Sequence, residues 1–520
     1  MPDSPRHSGK HRPRGVVAAG HPATAEAARE VLLEGGNAFD AAVAALCTAC
    51  VAEPALASLG GGGFLTARRA DGEVSVFDFF TQTPHRRADG ELDFYPAIGH
   101  FGGATQEFHL GMASIACPGV IKGLFAIQRE LATMPMARLV EPAAALAEEG
   151  VEVTASQAHI LQVIAPILLA TPASRQIFAG SPDSHQPMVE GDRYALPEVA
   201  DFLRQLAREG ADFFYRGEPA AEIARACGEG GGHLSREDLE SYRVKRHKPL
   251  TGRFRGATFA TNPPPSVGGA LIAFGLELLD GCGPIGAFGS ASHLRLLVDA
   301  LVLTQSARSD ASIDRQPNHR ACEQLLSRDY LHAYRETLRR HAPSCRGTTQ
   351  ISIADGVGNV AALTISNGEG SGYVVPGTGI LLNNMLGEED LSRGGFHTWP
   401  RDRRLASIMA PTIARRRDGT FVALGSGGSN RIRSAILQTL VNVLALDLDL
   451  RDAVERPRLH VEGDQLDLEP GFPPAAVAAL RDDLKVRTWE HRSMFFGGVH
   501  AVAGPRGAGD PRRGGVAVVV

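Results

Sequence analysis

Residues 348–366, TTQISIADGVGNVAALTIS, leave the backbone little choice. Side chains alternate cleanly through Thr349, Gln350, Ile351, Ser352 and Ile353, which is the period of a strand. The stretch Asp355-Gly356-Val357-Gly358-Asn359 has the Asp and Gly of a tight turn. Two strands over 349–354 and 360–366 therefore form a hairpin, and Thr348 opens the first of them. A hairpin with an apolar face needs a covering layer, so the rest of the chain must supply one.

The upstream sequence supplies it. A strand is expected over 15–20 and a helix over 24–34, stopped by Gly35-Gly36. Asn37 reads as the cap of a second helix running to residue 52 and ended by Glu53-Pro54. After SLGGGGF (58–64) comes a hairpin with its turn at 70–73, and helical patterns dominate 119–232. Ser235 with Asp238 resembles a capping box. NPPPSVGG leads into a glycine-led helix, helices and basic residues fill 291–340, and a loop is expected at 341–347. The remainder reads as β-rich with one long helix near 433–446. Strands at both ends around a helical middle make the fold class α+β.

Composition narrows the function. The 520 residues are 43% hydrophobic and carry a net charge of −5, so nucleic acid is not the expected principal partner. Residues 1–14 are basic with no apolar run behind them, and read as a disordered tail rather than a secretory signal. The apolar stretch 41–52 is too short to span a bilayer. Seven cysteines scattered over the chain do not suggest a disulfide framework, and Cys47 and Cys50 read as buried thiols. A cytoplasmic location without membrane contact is the expectation. His100 and His109 read as ordinary histidines, since their spacing fits no common metal-ligand pattern.

The Thr348-Thr349 pair has two readings. Threonines are ordinary strand formers. Alternatively, Thr348 is a nucleophile whose base is its own α-amine, available once the peptide bond after Gly347 is cut. Such an amine titrates near ~8, so a usable fraction is neutral at physiological pH.

Seven stretches occur in order: GHPATAEAAREVLLEGGNAFDAAVAA, EPALASLGGGGF, NPPPSVGGA, TTQISIADGVGNVAALT, GSGYVVPGTGILLNN, MAPTI and GSGGSNRI. Together they resemble the γ-glutamyltransferase family of N-terminal nucleophile hydrolases, from about residue 15 to the C-terminus. The resemblance implies a four-layer αββα sandwich and self-cleavage at Gly347–Thr348. A large fragment 1–347 and a small fragment 348–520 would stay associated as a heterodimer. Thr348 would form an acyl-enzyme from a γ-glutamyl amide and pass the acyl group to water or an amine. No cofactor or metal is implied.

Site residues follow from the same resemblance. Ser366 matches a hydroxyl that supports the nucleophile, and Asn367 an asparagine that holds the donor. Ser407 matches one of a serine pair that contacts the substrate carboxylate, with Ile408 in place of the second. The amides of Gly427, Gly428 and Ser429 match an oxyanion hole. Glu388 stands where an Asp binds the substrate ammonium. Arg86 and Arg87 are the candidates for the carboxylate, offset from the family's pattern. Gln350 replaces a histidine that usually follows the threonine pair. These departures motivate two alternatives: an acylase for a different acyl group, and an unprocessed, non-catalytic homologue.

Overall fold

The computed structural model describes residues 13–100, 105–181, 184–311, 313, 317–336, 348–389, 391–392, 394–480 and 484–520. Gly347, the expected loop before it, residues 1–12 and the His100 side chain lie outside the described residues.

Two antiparallel sheets stack face to face. The first has seven strands in the order Val516–Val519, Gly15–Ala19, Thr349–Asp355, Val360–Ser366, Gly62–Arg68, Val74–Phe79 and Lys245–His247. The second has six, in the order Arg506–Ala508, Gly498–Ala503, Phe421–Gly427, Thr412–Arg415, Ala257–Thr261 and Leu250–Phe254. Strand alternation sorts their side chains into layers. Val16, Ala18, Val360, Ala362, Ile413, Ala423 and Val502 meet between the sheets. Val17, Ala19, Ile351, Ile353, Leu363 and Ile365 point the other way, into a core shared with the helices Pro22–Leu33 and Ala38–Ala52. On the far side, the helices Val267–Asp280, Ala291–Asp310 and Arg431–Leu444 cover the second sheet. The result is the expected four-layer helix–sheet–sheet–helix sandwich.

Local chemistry agrees with these elements. Asn37 caps its helix in a full capping box with Asp40, worth about 1 kcal/mol, and Ser235 does the same with Asp238. The hairpin register pairs Thr349 with Ile365, which sets Ser366 opposite Gly62 on the next strand. The SLGGGGF glycines allow this: a β-carbon on Gly61 would lie 2.4 Å from Ser366 O, and one on Gly63 2.6 Å from Thr364 O. Gln350 lies between the sheets, donating to Ser352 Oγ at 3.0 Å and accepting from Thr364. It fills the space left by Gly425, whose β-carbon would lie 2.1 Å from Gln350 Oε1. Cys47 and Cys50 are buried, and burial pushes the Cys47 thiol up to about 12. Among the described residues no helix is long and apolar enough to cross a membrane.

Candidate active site

Thr348 directly precedes the strand Thr349–Asp355 and is buried, 4% exposed. It borders a small pocket of about 50 Å³, which Ser366, Glu388, Ser407 and Ser429 also line. Thr348 and Ser366 close one hairpin, and folding brings Glu388, Ser407 and Ser429 to the same place. The remaining walls are apolar: Phe80, Met385, Leu391, Ile408, Met409 and Ile432.

Each polar group is positioned by its backbone. Ser366 ends its strand, and its Oγ accepts from Gly368 N at 3.1 Å. Gly368 sits at φ +62°, where a β-carbon would lie 2.0 Å from Asn384 Oδ1 and 3.0 Å from Glu388 Oε1. Asn367 is buried between them, and its side-chain amide finds no hydrogen-bond partner among the described residues. Glu388 follows the short turn Met385–Gly387 and is buried. Ser407 Oγ accepts from Met409 N at 3.1 Å. Ser407 O accepts from Val267 N at 2.8 Å, tying this wall to the first turn of the helix Val267–Asp280.

Opposite Thr348 the second sheet ends at Gly427, and the chain turns through Gly428 at φ +114° and Ser429 at φ +50° into the helix Arg431–Leu444. Ser429 is a non-glycine residue in the left-handed region, a conformation that costs about 1–3 kcal/mol and clusters at functional sites. The helix N-terminus behind this turn carries partial positive charge toward the pocket wall at Ile432. Arg308 Nη1 donates to Asn430 Oδ1 at 3.1 Å, which anchors the turn from behind.

The two candidate carboxylate-binding arginines are elsewhere. Arg87 donates to Trp399 O and lies over the Trp399 ring, and Arg86 is exposed. Neither is among the residues that line the pocket around Thr348. Among the described lining residues, Glu388 is the one ionisable side chain.

Two nearby residues escaped the sequence reading. Thr349 Oγ1 donates to Glu53 Oε2 at 2.9 Å, and Arg513 Nη1 donates to Thr348 O at 3.2 Å. Burial lifts the Glu53 carboxyl to about 7, against hydrogen bonds from Thr349 and Thr24 and the charge of Arg513. The signal available in the sequence is an acid inside the apolar run ACVAEPALA, where Glu53-Pro54 also ends a helix. Arg513 gave none.

A strand-opening threonine at the join of two stacked, helix-covered sheets defines the class: the sandwich is that of the N-terminal nucleophile hydrolases. The model of the family described as gamma-glutamyltranspeptidase matches residues 24–520, and the chain belongs to that family. It is 31% identical over 512 residues to the acylase ACY 1 proenzyme of Pseudomonas sp. (strain V22), covering 94% of this chain and 90% of that one. It is 29% identical over 498 residues to the glutathione hydrolase proenzyme of Escherichia coli (strain K12), covering 90% and 84%. The crystal structure of cephalosporin acylase from Bacillus halodurans superposes with a TM-score of 0.83 over 100% of this chain and 98% of that one, at 23% identity. That last likeness is one of fold.

Proposed function

We propose that this protein is a self-processing amidohydrolase whose nucleophile is Thr348. Cutting before residue 348 frees its α-amine, which takes the hydroxyl proton as Oγ1 attacks the amide carbonyl carbon. The oxyanion that forms faces the amides of Gly427, Gly428 and Ser429, and Ser366 supports the nucleophile. Collapse breaks the C–N bond, the leaving amine takes the proton, and the acyl group stays on Thr348 until water or a second amine removes it. The observation that carries this reading is the convergence of Thr348, Ser366, Glu388, Ser407 and Ser429 on one pocket.

The fragments 1–347 and 348–520 would remain one body as a heterodimer. In the seven-stranded sheet, Gly15–Ala19 lies between Val516–Val519 and Thr349–Asp355, and Val360–Ser366 lies beside Gly62–Arg68. In the second sheet Ala257–Thr261 also pairs with Thr412–Arg415, so among the described residues parting the fragments would tear four strand pairings.

For the substrate, the apolar walls and single acid favour an amide whose acyl chain is aliphatic and ends in an ammonium. Glu388 would pair with that ammonium, and Asn367 and Ser407 would offer hydrogen bonds. Glutathione and other γ-glutamyl amides belong to this class through their α-amino group. Their α-carboxylate lacks a cationic partner among the described lining residues, which favours an acylase with broader donors over a strict γ-glutamyltransferase. Intact-mass analysis tests the core of the reading. Wild-type protein should give two chains that meet at 347/348, and a stalled substrate should add its acyl mass to the smaller. Thr348→Ala should give one uncut, inactive chain. An active wild type with an unbroken chain would overturn it.

A further inference from the structure

A residue released at its N-terminal side becomes a chain end, and chain ends fray unless something ties them. For Thr348 the ties act on its own carbonyl and on the side chain of Thr349. On one side, Arg513 Nη1 donates to Thr348 O at 3.2 Å. On the other, Thr349 Oγ1 donates to Glu53 Oε2 at 2.9 Å, and Thr24 Oγ1 donates to Glu53 Oε1 at 3.3 Å. Glu53 and Arg513 also influence each other, since the Arg513 charge favours the ionised carboxylate. Both border a second, largely apolar cavity, which Tyr194 and Gln157 also line.

The surroundings are shaped around this contact. A β-carbon on Gly20 would lie 2.4 Å from Glu53 Oε2 and 2.9 Å from Thr349 Oγ1. A buried carboxylate is costly, and apolar residues of similar volume are often at least as stable in such positions. What Glu53 does in this position is accept from Thr349 and Thr24. Neither Glu53 nor Arg513 is among the residues lining the substrate pocket, so neither is placed to touch the reacting atoms.

We propose that Glu53 and Arg513 are a positioning pair, one holding the Thr349 hydroxyl and the other the Thr348 carbonyl, that keeps the nucleophile in register after the chain is cut. The inference rests on the reading of Thr348 as the nucleophile. Glu53 comes from the segment after the helix Ala38–Ala52 and Arg513 from the C-terminal turn Pro511–Arg513. The large fragment would thus help align a terminus that belongs to the small one.

The test is steady-state kinetics on the processed enzyme with γ-glutamyl-p-nitroanilide. Thr349→Val keeps the shape and removes the hydroxyl. It should lower kcat about tenfold or more with KM within about twofold, because small misplacements of a nucleophile cost rate rather than binding. Thr349→Ser should restore kcat to within about threefold of wild type. Glu53→Gln should lower kcat to a similar degree, and adding Thr349→Val should cost less than about twofold more, since one contact is removed twice. Arg513→Lys should also lower kcat at unchanged KM. If Glu53→Gln does not fold, the Thr349 pair decides alone. Equal losses in Thr349→Val and Thr349→Ser, a loss confined to KM, or an unchanged kcat in Thr349→Val would overturn the proposal. A Thr348→Ala variant that still turns over would instead remove the nucleophile reading, and the positioning pair with it.

Discussion

Gly427 stands so close to Thr348 that a β-carbon on it would lie 1.9 Å from the Thr348 carbonyl oxygen. The obstructing atom is backbone, and Gly427 is itself held opposite Gly498 in the second sheet, so neither side can yield cheaply. Gly427→Ala must push Thr348 or the turn after Gly427 out of place. Turnover of γ-glutamyl-p-nitroanilide should fall by about 100-fold or more, the scale of losing one oxyanion donor or misplacing a nucleophile by ~1 Å. Gly228→Ala is the control. No atom lies within 4 Å of its added β-carbon, and its helix should gain up to about 1 kcal/mol. Full activity in Gly427→Ala would mean this contact is not part of the site.

The pocket's charge makes a second expectation. Three p-nitroanilides share a four-carbon reach and differ only in the groups at the far end: γ-glutamyl, 4-aminobutanoyl and glutaryl. With Glu388 as the one ionisable side chain among the described lining residues, kcat/KM should rank 4-aminobutanoyl at or above γ-glutamyl, and both above glutaryl. Glu388→Gln should reduce the two ammonium-bearing donors about 10- to 100-fold, the value of a charge-assisted hydrogen bond of ~1.5–3 kcal/mol, and spare glutaryl. Faster cleavage of glutaryl than of 4-aminobutanoyl would refute this assignment of the pocket.

Glu53 links the site to stability. Its carboxyl is raised from 4.5 to about 7 in the folded protein, chiefly by burial. A carboxyl with a raised folded value favours the folded state while protonated. That contribution is fully present below about 4.5 and is lost as pH climbs to about 7, a change of about 3 kcal/mol. Glu53→Gln removes the dependence. In urea unfolding, the variant should therefore gain on wild type as pH rises from 4.5 to 7, and hold that gain above 7. A difference independent of pH would show that Glu53 ionises as it does in water.

Much of this was legible because periodicity and turn chemistry are local. The hairpin around 355–359, the capped helix at Asn37 and the long helix after the GSGGSN turn follow from a few neighbouring residues each. The number of sheets did not, because strand pairings such as Gly15–Ala19 with Thr349–Asp355 join distant residues. Thr348, Ser366, Glu388, Ser407 and Ser429 could be nominated through the family resemblance, because a matched motif keeps a residue's place in a strand or turn. Arg86 and Arg87 could not be settled that way. Where a long side chain ends depends on what it meets, and Arg87 meets Trp399. Glu53 was hidden for the opposite reason: its meaning lies in Thr349, a partner on the far side of the chain.

Buried histidines set the acid limit. His21, His233, His293, His460 and His500 all fall from 6.5 to about 4, in each case mainly because burial disfavours the charged ring. Geometry gives the same answer. Nδ1 of His21 accepts from Ala23 N, of His233 from Ala88 N, of His293 from Gly289 N and of His500 from Asp510 N. A protonated ring nitrogen cannot accept, so charging any of these four breaks a backbone contact. A histidine with a depressed folded value contributes stability that is present above about 6.5 and disappears as pH falls to about 4. Each is worth about 3 kcal/mol, so together they outweigh the opposing gain from Glu53 and are of the size of a typical total stability of ~5–15 kcal/mol. Circular dichroism across a pH titration should show cooperative loss of structure between about pH 6.5 and 4. A native spectrum with an unchanged Tm at pH 4 would show that these rings take up protons without disturbing the fold.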